Sequence, residues 1–249
     1  MNVALISSRS ALCAAMLLNA AIAQAALIDR GGGMIYDDVQ NITWLQNWNY
    51  AATELTDARI DEIILAVGSV AGHNLLITDF RPTSSVSAPG GMSWWGAMAW
   101  ADQLAFGGFS DWRLPTTLQP DATCSQQTRE PAPFSSQYYG SGCAGSEMGH
   151  IWYTEGVSQF SPGNFQNLYP AGYWSATEFA PNTNLAWDFF FSSGSQGFHP
   201  KGTEFYAVAV RSGDVVTAIP EPSTYTLMLA GLAAVGFVAR RRKAAAISV

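Results

Sequence analysis

The chain has 249 residues, of which 48% are hydrophobic and 12% are charged, and its formal net charge is −7. Residues 26–219 hold seven basic and eighteen acidic residues, a net charge of −11 over 194 positions. Nucleic-acid binding depends on cationic contacts with phosphate, so this acidity argues against a nucleic-acid partner. The region is long enough for one domain with a sizeable core.

The first 25 residues have the layout of a secretory signal peptide. Arg9 supplies a positive charge, residues 11–23 are apolar but too short to span a bilayer comfortably, and small residues follow at Ala23-Gln24-Ala25. We predict export through the secretion translocon and cleavage after Ala25. The alternative is a buried N-terminal helix.

The next hundred residues suggest three strands and two helices. Residues 34–36 and 42–45 are typical of strands joined by a turn. Residues 53–67 place isoleucine and valine on one helical face, and residues 75–78 suggest a short strand. Residues 93–104 form the clearest helical pattern, with a serine as N-cap.

The chain beyond Pro115 is rich in turns and aromatic residues. Short strands are predicted at residues 172–176, 186–191 and 205–210. The pattern indicates an α+β domain with one or two helices, an irregular antiparallel sheet and long loops. After signal removal the cysteines left are Cys124 and Cys143, and a disulfide closing this loop would contribute about 3 kcal/mol. A reactive thiol is the alternative.

The C-terminal end suggests a membrane anchor. Pro220-Glu221-Pro222 precedes the apolar residues 225–239, and Arg240-Arg241-Arg242-Lys243 follows. Fifteen helical residues reach about 22 Å, which is shorter than a bilayer core of about 30 Å, but local thinning can absorb the difference. The basic cluster should stay cytoplasmic with residues 244–249, leaving the domain on the far side of the inner membrane.

This arrangement closely resembles the PEP-CTERM sorting signal over residues 219–243. The resemblance implies that residues 225–239 hold the precursor in the inner membrane transiently. An exosortase-type enzyme would then process the chain near Pro220, Glu221 and Pro222, and the domain would reach the cell surface or the extracellular matrix. A plain single-pass anchor is the alternative.

Four segments together resemble the Lcl C-terminal domain family over about residues 33–212. The most specific is Asp111-Trp112-Arg113-Leu114-Pro115, and the others include Trp174 and Arg211. The resemblance implies a single C-type-lectin-like domain, which we place at residues 26–218. The adhesin that gives the family its name is associated with glycosaminoglycans, but an acidic domain is poorly suited to polyanionic glycans.

The family motif is interpreted first as structural. Arg113 can fork onto a carboxylate, with Asp111 the nearest in sequence, while Trp112 can fill the core and Pro115 can fix the next turn. The alternative is a ligand site at Arg113, Glu147 and His150. Glu147 and His150 would share a face only on a helix, which the neighbouring glycines make doubtful.

The sequence shows no catalytic motif, and we predict a protein that is not an enzyme and needs no cofactor or metal. The histidines lack metal-ligand spacing. The acid pairs Asp37/Asp38 and Glu178/Asp188 could hydrolyse glycosides or bind calcium, but their spacing alone does not support either role. The leading hypothesis is a binding or adhesion module for polysaccharide. The alternatives are a secreted polysaccharide hydrolase and a purely structural exopolymer component.

Overall fold

The computed structural model describes residues 27–81, 89–132 and 134–215. The predicted signal peptide, the Pro220-Glu221-Pro222 motif, the apolar segment 225–239 and the arginine cluster therefore lie outside the described residues. Within the described ranges, no helix combines the length and apolar character needed to cross a membrane.

The first sheet joins the two ends of the domain. Its strands are β1 (Leu27–Gly31), β2 (Met34–Asp37), β3 (Ile42–Leu45) and β11 (Val210–Ser212), in the order β1-β2-β3-β11 and all antiparallel. The predicted strand–turn–strand is thus confirmed. The central strand β3 is fully buried, which matches its largely apolar sequence, and the hydroxyl of Thr43 donates to the carbonyl of Gly213.

The second sheet is a three-stranded meander. It contains β8 (Gly172–Glu178), β9 (Leu185–Phe190) and β10 (Ser195–Pro200), in the order β10-β9-β8. Two of these strands agree with the predicted segments 172–176 and 186–191.

The predicted strand at residues 205–210 is wrong, since only Val210 belongs to a strand. This segment crosses between the sheets: Tyr206 bridges to Tyr173 of β8, and the N–H of Leu45 in β3 binds the carbonyl of Ala209 at 3.0 Å. Ala207 and Val208 are buried along the way. The apolar run therefore reflects burial rather than strand pairing.

The helices within the described residues are mostly short. They are α1 (Ala51–Glu54), α2 (Asp57–Val67), α3 (Ile77–Phe80), α4 (Trp94–Asp102) and α5 (Glu147–Tyr153). Two small hairpins complete the inventory, β4 (Ser69–Val70) with β5 (His73–Asn74), and β6 (Gln126–Gln127) with β7 (Tyr138–Tyr139). This content confirms an α+β domain.

Side-chain capping decides where the predicted helices begin. The helix expected over residues 53–67 is divided, because Thr56 accepts the N–H of Arg59 as the N-cap of α2. Ser93 caps α4 in the same way by accepting the N–H of Gly96, as predicted. The strand predicted at residues 75–78 is wrong, because Asp79 accepts the N–H of Leu76 and turns the chain into α3.

Tryptophan dominates the core between these layers. Five tryptophans are below 2% exposed: Trp44, Trp48, Trp100, Trp174 and Trp187. The indole N–H groups of Trp174 and Trp100 bind the carbonyl of Met92 and the carboxylate of Glu54, both at 3.0 Å. These bonds connect the second sheet and the helices around one core.

The predicted disulfide is confirmed. Cys124 and Cys143 are bonded, with a sequence separation of 19 residues. Cys143 is fully buried and lies shortly before α5, so the staple fixes the loop that leads into this helix.

Candidate functional site

The family motif is tied into the domain by two forked ion pairs. The guanidinium of Arg113 donates to both carboxylate oxygens of Glu147, at 2.8 and 2.7 Å. Arg211 donates in the same way to Asp111, at 2.8 and 3.0 Å, and this bond lowers the pKa of Asp111. The expected Arg113–Asp111 fork is therefore wrong, because each side chain finds its partner in a distant segment.

The Arg113–Glu147 pair connects the motif to α5. Glu147 stands in the first turn of the helix and also accepts the N–H of Thr116 at 2.6 Å. Trp112 and Leu114, on either side of Arg113, are buried, as are Pro115, Trp174 and Arg211. The motif thus anchors α5 to the segment from Arg113 to Thr116.

Replacing Glu147 by glutamine is expected to lower the free energy of unfolding by about 2 kcal/mol, because it leaves the half-buried Arg113 without its anionic partner. The matched control is Glu62→Gln, whose side chain is 68% exposed beside Arg59. We expect the control to cost less than about 0.5 kcal/mol. Urea unfolding followed by circular dichroism measures both, and equal losses would contradict the anchoring role.

The predicted ligand set of Arg113, Glu147 and His150 is not assembled as one site. Arg113 and Glu147 bind each other, whereas the Nε2 atom of His150 lies 3.3 Å from Oε1 of Glu155 and 3.7 Å from Oδ2 of Asp37. Burial raises the pKa of Asp37. Burial and then the charge of Asp37 raise the pKa of Glu155. These three groups form a separate cluster.

The helix that carries Glu147 and His150 exists despite its glycine. The glycines in and near this segment made a helix doubtful, but residues 147–153 form α5. A Cβ atom at Gly149 would lie 1.8 Å from the carbonyl oxygen of Cys143. The glycine therefore permits a close approach between the helix and the disulfide loop rather than ending the helix.

The acid pair Glu178/Asp188, which the sequence offered as a possible catalytic or calcium site, is divided between two different partners. Glu178 forms an ion pair with Lys201, while Oδ2 of the fully buried Asp188 lies 2.6 Å from Nδ1 of His199. Burial raises the pKa of Asp188, and the bond to Asp188 raises the pKa of His199. The two carboxylates thus have separate electrostatic environments.

One surface cleft of about 550 Å³ lies beside these groups. Its lining comes from the β4–β5 hairpin, the start of α4, the end of β8, the β8–β9 turn and the residue after β10. The lining residues are Ala71, Gly72, His73, Trp95, Glu178, Thr183, Asn184 and Lys201. This volume falls in the range of about 300–1,000 Å³ that small-molecule sites occupy.

The cleft combines an aromatic wall with polar side chains. The rings of His73 and Trp95 stack with centroids 4.0 Å apart, and Trp95 is half-buried. Nε2 of His73 lies 3.0 Å from Oδ2 of Asp79, which orients the imidazole. Thr183 and Asn184, in the β8–β9 turn, are exposed and also line the cleft. We refer to the lining residues together as the Trp95 cleft.

Lys201 closes one side of the Trp95 cleft. Its side chain is 4% exposed and its ammonium contacts the carboxylate of Glu178. The Nζ atom lies 4.2 Å from the centroid of the Trp94 ring. An ammonium so placed is stabilised by both a carboxylate and an aromatic face. The ion pair is formally neutral, so this wall offers polar atoms without an excess charge.

The described residues thus define a protein of the α+β class with a surface cleft. The Lcl C-terminal domain model matches residues 33–211, and the chain belongs to this family. The PEP-CTERM protein-sorting motif matches residues 218–243, which supports exosortase-dependent export to the surface with C-terminal membrane anchoring. No curated protein and no solved structure is significantly similar to the chain.

Sequence reasoning missed the groups that the fold assembles from separate segments. The Trp95 cleft draws on residues between positions 71 and 201, and the His150 cluster draws on positions 37, 150 and 155. No spacing rule connects such positions. The available signals were that Trp95 lies beside the apolar face of α4 and that His150 is followed by an acidic residue five positions later.

Proposed function

We propose that the domain is a non-catalytic binding module for neutral carbohydrate at the cell surface or in the extracellular matrix. The observation that carries the proposal is the Trp95 cleft, whose lining combines an indole, stacked on His73, with the exposed hydroxyl and amide groups of Thr183 and Asn184. Sugars present both apolar C–H faces and hydroxyl groups, and amphipathic aromatic and amide side chains complement the two. The C-type-lectin-like fold implied by the family resemblance is consistent with this role.

The charge of the domain favours a neutral ligand. Residues 26–219 carry a net charge of −11, which would repel sulfated or uronic-acid polymers. The cationic side chain of the Trp95 cleft, Lys201, is already neutralised by Glu178. Specificity would then come from hydrogen bonds to hydroxyl groups, which penalise ligands that leave the polar atoms unpaired.

Hydrolysis is the weaker alternative for the Trp95 cleft. Glycosidases place two carboxyl groups about 5–9.5 Å apart across the scissile bond. Glu178 is the carboxylate among the residues lining this described cleft, and Lys201 holds it. A structural role in the exopolymer layer would require no cleft at all.

Replacing Trp95 by alanine is expected to weaken binding to a neutral oligosaccharide by at least about tenfold, because the ligand loses its aromatic contact. The full chain would first be screened on a glycan array, and the best ligand then titrated by calorimetry. The matched control is Phe160→Ala, an aromatic residue that is 86% exposed and does not line the cleft. We expect the control to bind within twofold of the unchanged protein.

Two outcomes would overturn the carbohydrate proposal. One is the absence of binding to every neutral glycan at millimolar concentration, with or without calcium. The other is equal binding by the Trp95→Ala and Phe160→Ala variants. Release of reducing ends from a polysaccharide, lost in Glu178→Gln, would instead identify a hydrolase.

A further inference from the structure

Three ligand-type side chains converge in the interior between the first sheet and α5. Asp37 ends β2, His150 lies in α5, and Glu155 follows that helix. Their side chains are 0%, 10% and 5% exposed. One possible metal-ligand atom from each, Oδ2, Nε2 and Oε1, lies within 4.8 Å of the other two. Among the described residues, this is the group of three His, Cys, Asp or Glu side chains whose ligand atoms lie within that distance of one another.

These three atoms have no hydrogen-bond partner in the protein. The Oδ1 atom of Asp37 accepts the N–H groups of Val39 and Gln40 at 3.0 and 2.9 Å, which fixes the carboxylate and leaves Oδ2 directed at the cluster. His150 and Glu155 approach to 3.3 Å, but their atoms are not aligned as donor and acceptor. Buried polar atoms of this kind are costly unless something satisfies them.

The distances suit a shared cation. A zinc ion bound tetrahedrally at about 2.0–2.1 Å separates its ligand atoms by roughly 3.3–3.4 Å, and the two distances from His150 are 3.3 and 3.7 Å. The two carboxylates raise the local negative potential, to which Asp38 also contributes. A divalent cation would neutralise that potential and satisfy all three atoms at once.

We propose that Asp37, His150 and Glu155 bind one divalent transition-metal ion through Oδ2, Nε2 and Oε1, with Zn²⁺ the best match. An imidazole with two carboxylates suits zinc, whereas Ca²⁺ and Mg²⁺ prefer oxygen ligands alone. The side-chain oxygen of Gln40 is also buried without a partner, and its backbone N–H already binds Asp37. Gln40 is therefore the candidate for the fourth position, with water as the alternative.

The metal would connect the start of the domain to its middle. It would join β2 to both α5 and the residues that follow the helix, a link between segments more than a hundred positions apart. None of its ligands lines the Trp95 cleft, so the site is independent of the carbohydrate proposal. Its role would be structural. An ion that binds the folded chain but not the unfolded chain stabilises the folded state.

The test uses the full chain in detergent, stripped with EDTA and titrated with Zn²⁺ or Ca²⁺ by calorimetry. We expect one Zn²⁺ per chain, Ca²⁺ binding at least about 100-fold weaker, and a higher thermal midpoint with zinc. Glu155→Gln and Asp37→Asn should each weaken zinc binding by at least about tenfold. The matched control is His199→Gln, which alters another histidine–aspartate pair and should leave zinc affinity within twofold.

A measurement on the unchanged protein covers the case in which a variant does not fold. Zinc-edge X-ray absorption should show one imidazole and oxygen ligands at about 2.0–2.1 Å. Sulfur ligation or more than one imidazole would overturn the proposal, as would the absence of zinc binding at 100-fold excess. Unchanged affinity in folded Glu155→Gln and Asp37→Asn would overturn it as well.

Discussion

Replacing Trp48 by alanine is expected to lower the free energy of unfolding by about 4 kcal/mol, the largest effect we predict for a single side chain. Trp48 is fully buried. Its ring centroid lies 4.6–5.4 Å from those of four other aromatic residues, Trp44, Phe165, Tyr173 and Phe191. The truncation therefore removes the shared contact of a cluster that joins the two sheets, and leaves a cavity that rigid rings cannot fill.

Two control substitutions separate this cavity effect from other causes. The indole N–H of Trp48 has no hydrogen-bond partner, so Trp48→Phe loses volume but no hydrogen bond, and should cost less than about 1.5 kcal/mol. Phe160→Ala, at a position that is 86% exposed, should change stability by less than about 0.5 kcal/mol. Urea unfolding of the full chain, followed by far-ultraviolet circular dichroism, measures all three. A loss below about 1.5 kcal/mol for Trp48→Ala would show that the cluster collapses around the gap.

Replacing Gly149 by alanine is expected to destabilise the fold by about 3 kcal/mol, although alanine is the better helix former. Helix propensity alone would favour the substitution by about 1 kcal/mol. Against this, the new Cβ would lie 1.8 Å from the carbonyl oxygen of Cys143, a backbone atom that cannot rotate away. The disulfide to Cys124 restrains that loop further, so the overlap outweighs the propensity.

The matched control for Gly149→Ala is Gly202→Ala. A Cβ atom at Gly202 would meet only Trp95, at 3.9 Å, which is an ordinary contact. We expect the control to change stability by less than about 0.5 kcal/mol in the same urea titration. Because His150 follows Gly149 in α5, displacement of the helix should also weaken zinc binding. A Gly149→Ala variant as stable as the control would contradict the close approach.

The sequence by itself determined the features that depend on neighbouring residues or on composition. The hairpin of β2 and β3 follows from apolar runs on either side of a turn, and α4 follows from its serine cap and apolar spacing. The pairing of Cys124 with Cys143 follows from the number of cysteines in an exported domain. The sorting signal is contiguous, so its three elements could be recognised in order.

The tertiary structure alone decided which distant side chains meet. Arg113 was expected to bind the nearest carboxylate, yet its partner is 34 positions away. Oδ2 of Asp37 comes within 3.7 Å of Nε2 of His150 only in the folded chain. The helix that carries His150 in turn approaches the carbonyl of Cys143 through a glycine that made a helix look doubtful. Local hydrogen bonds and periodicity act over a few residues. The Arg113–Glu147 ion pair, the Trp95 cleft and the cluster of Asp37, His150 and Glu155 instead form where distant segments meet in the fold. Their geometry is therefore absent from any short segment of the chain.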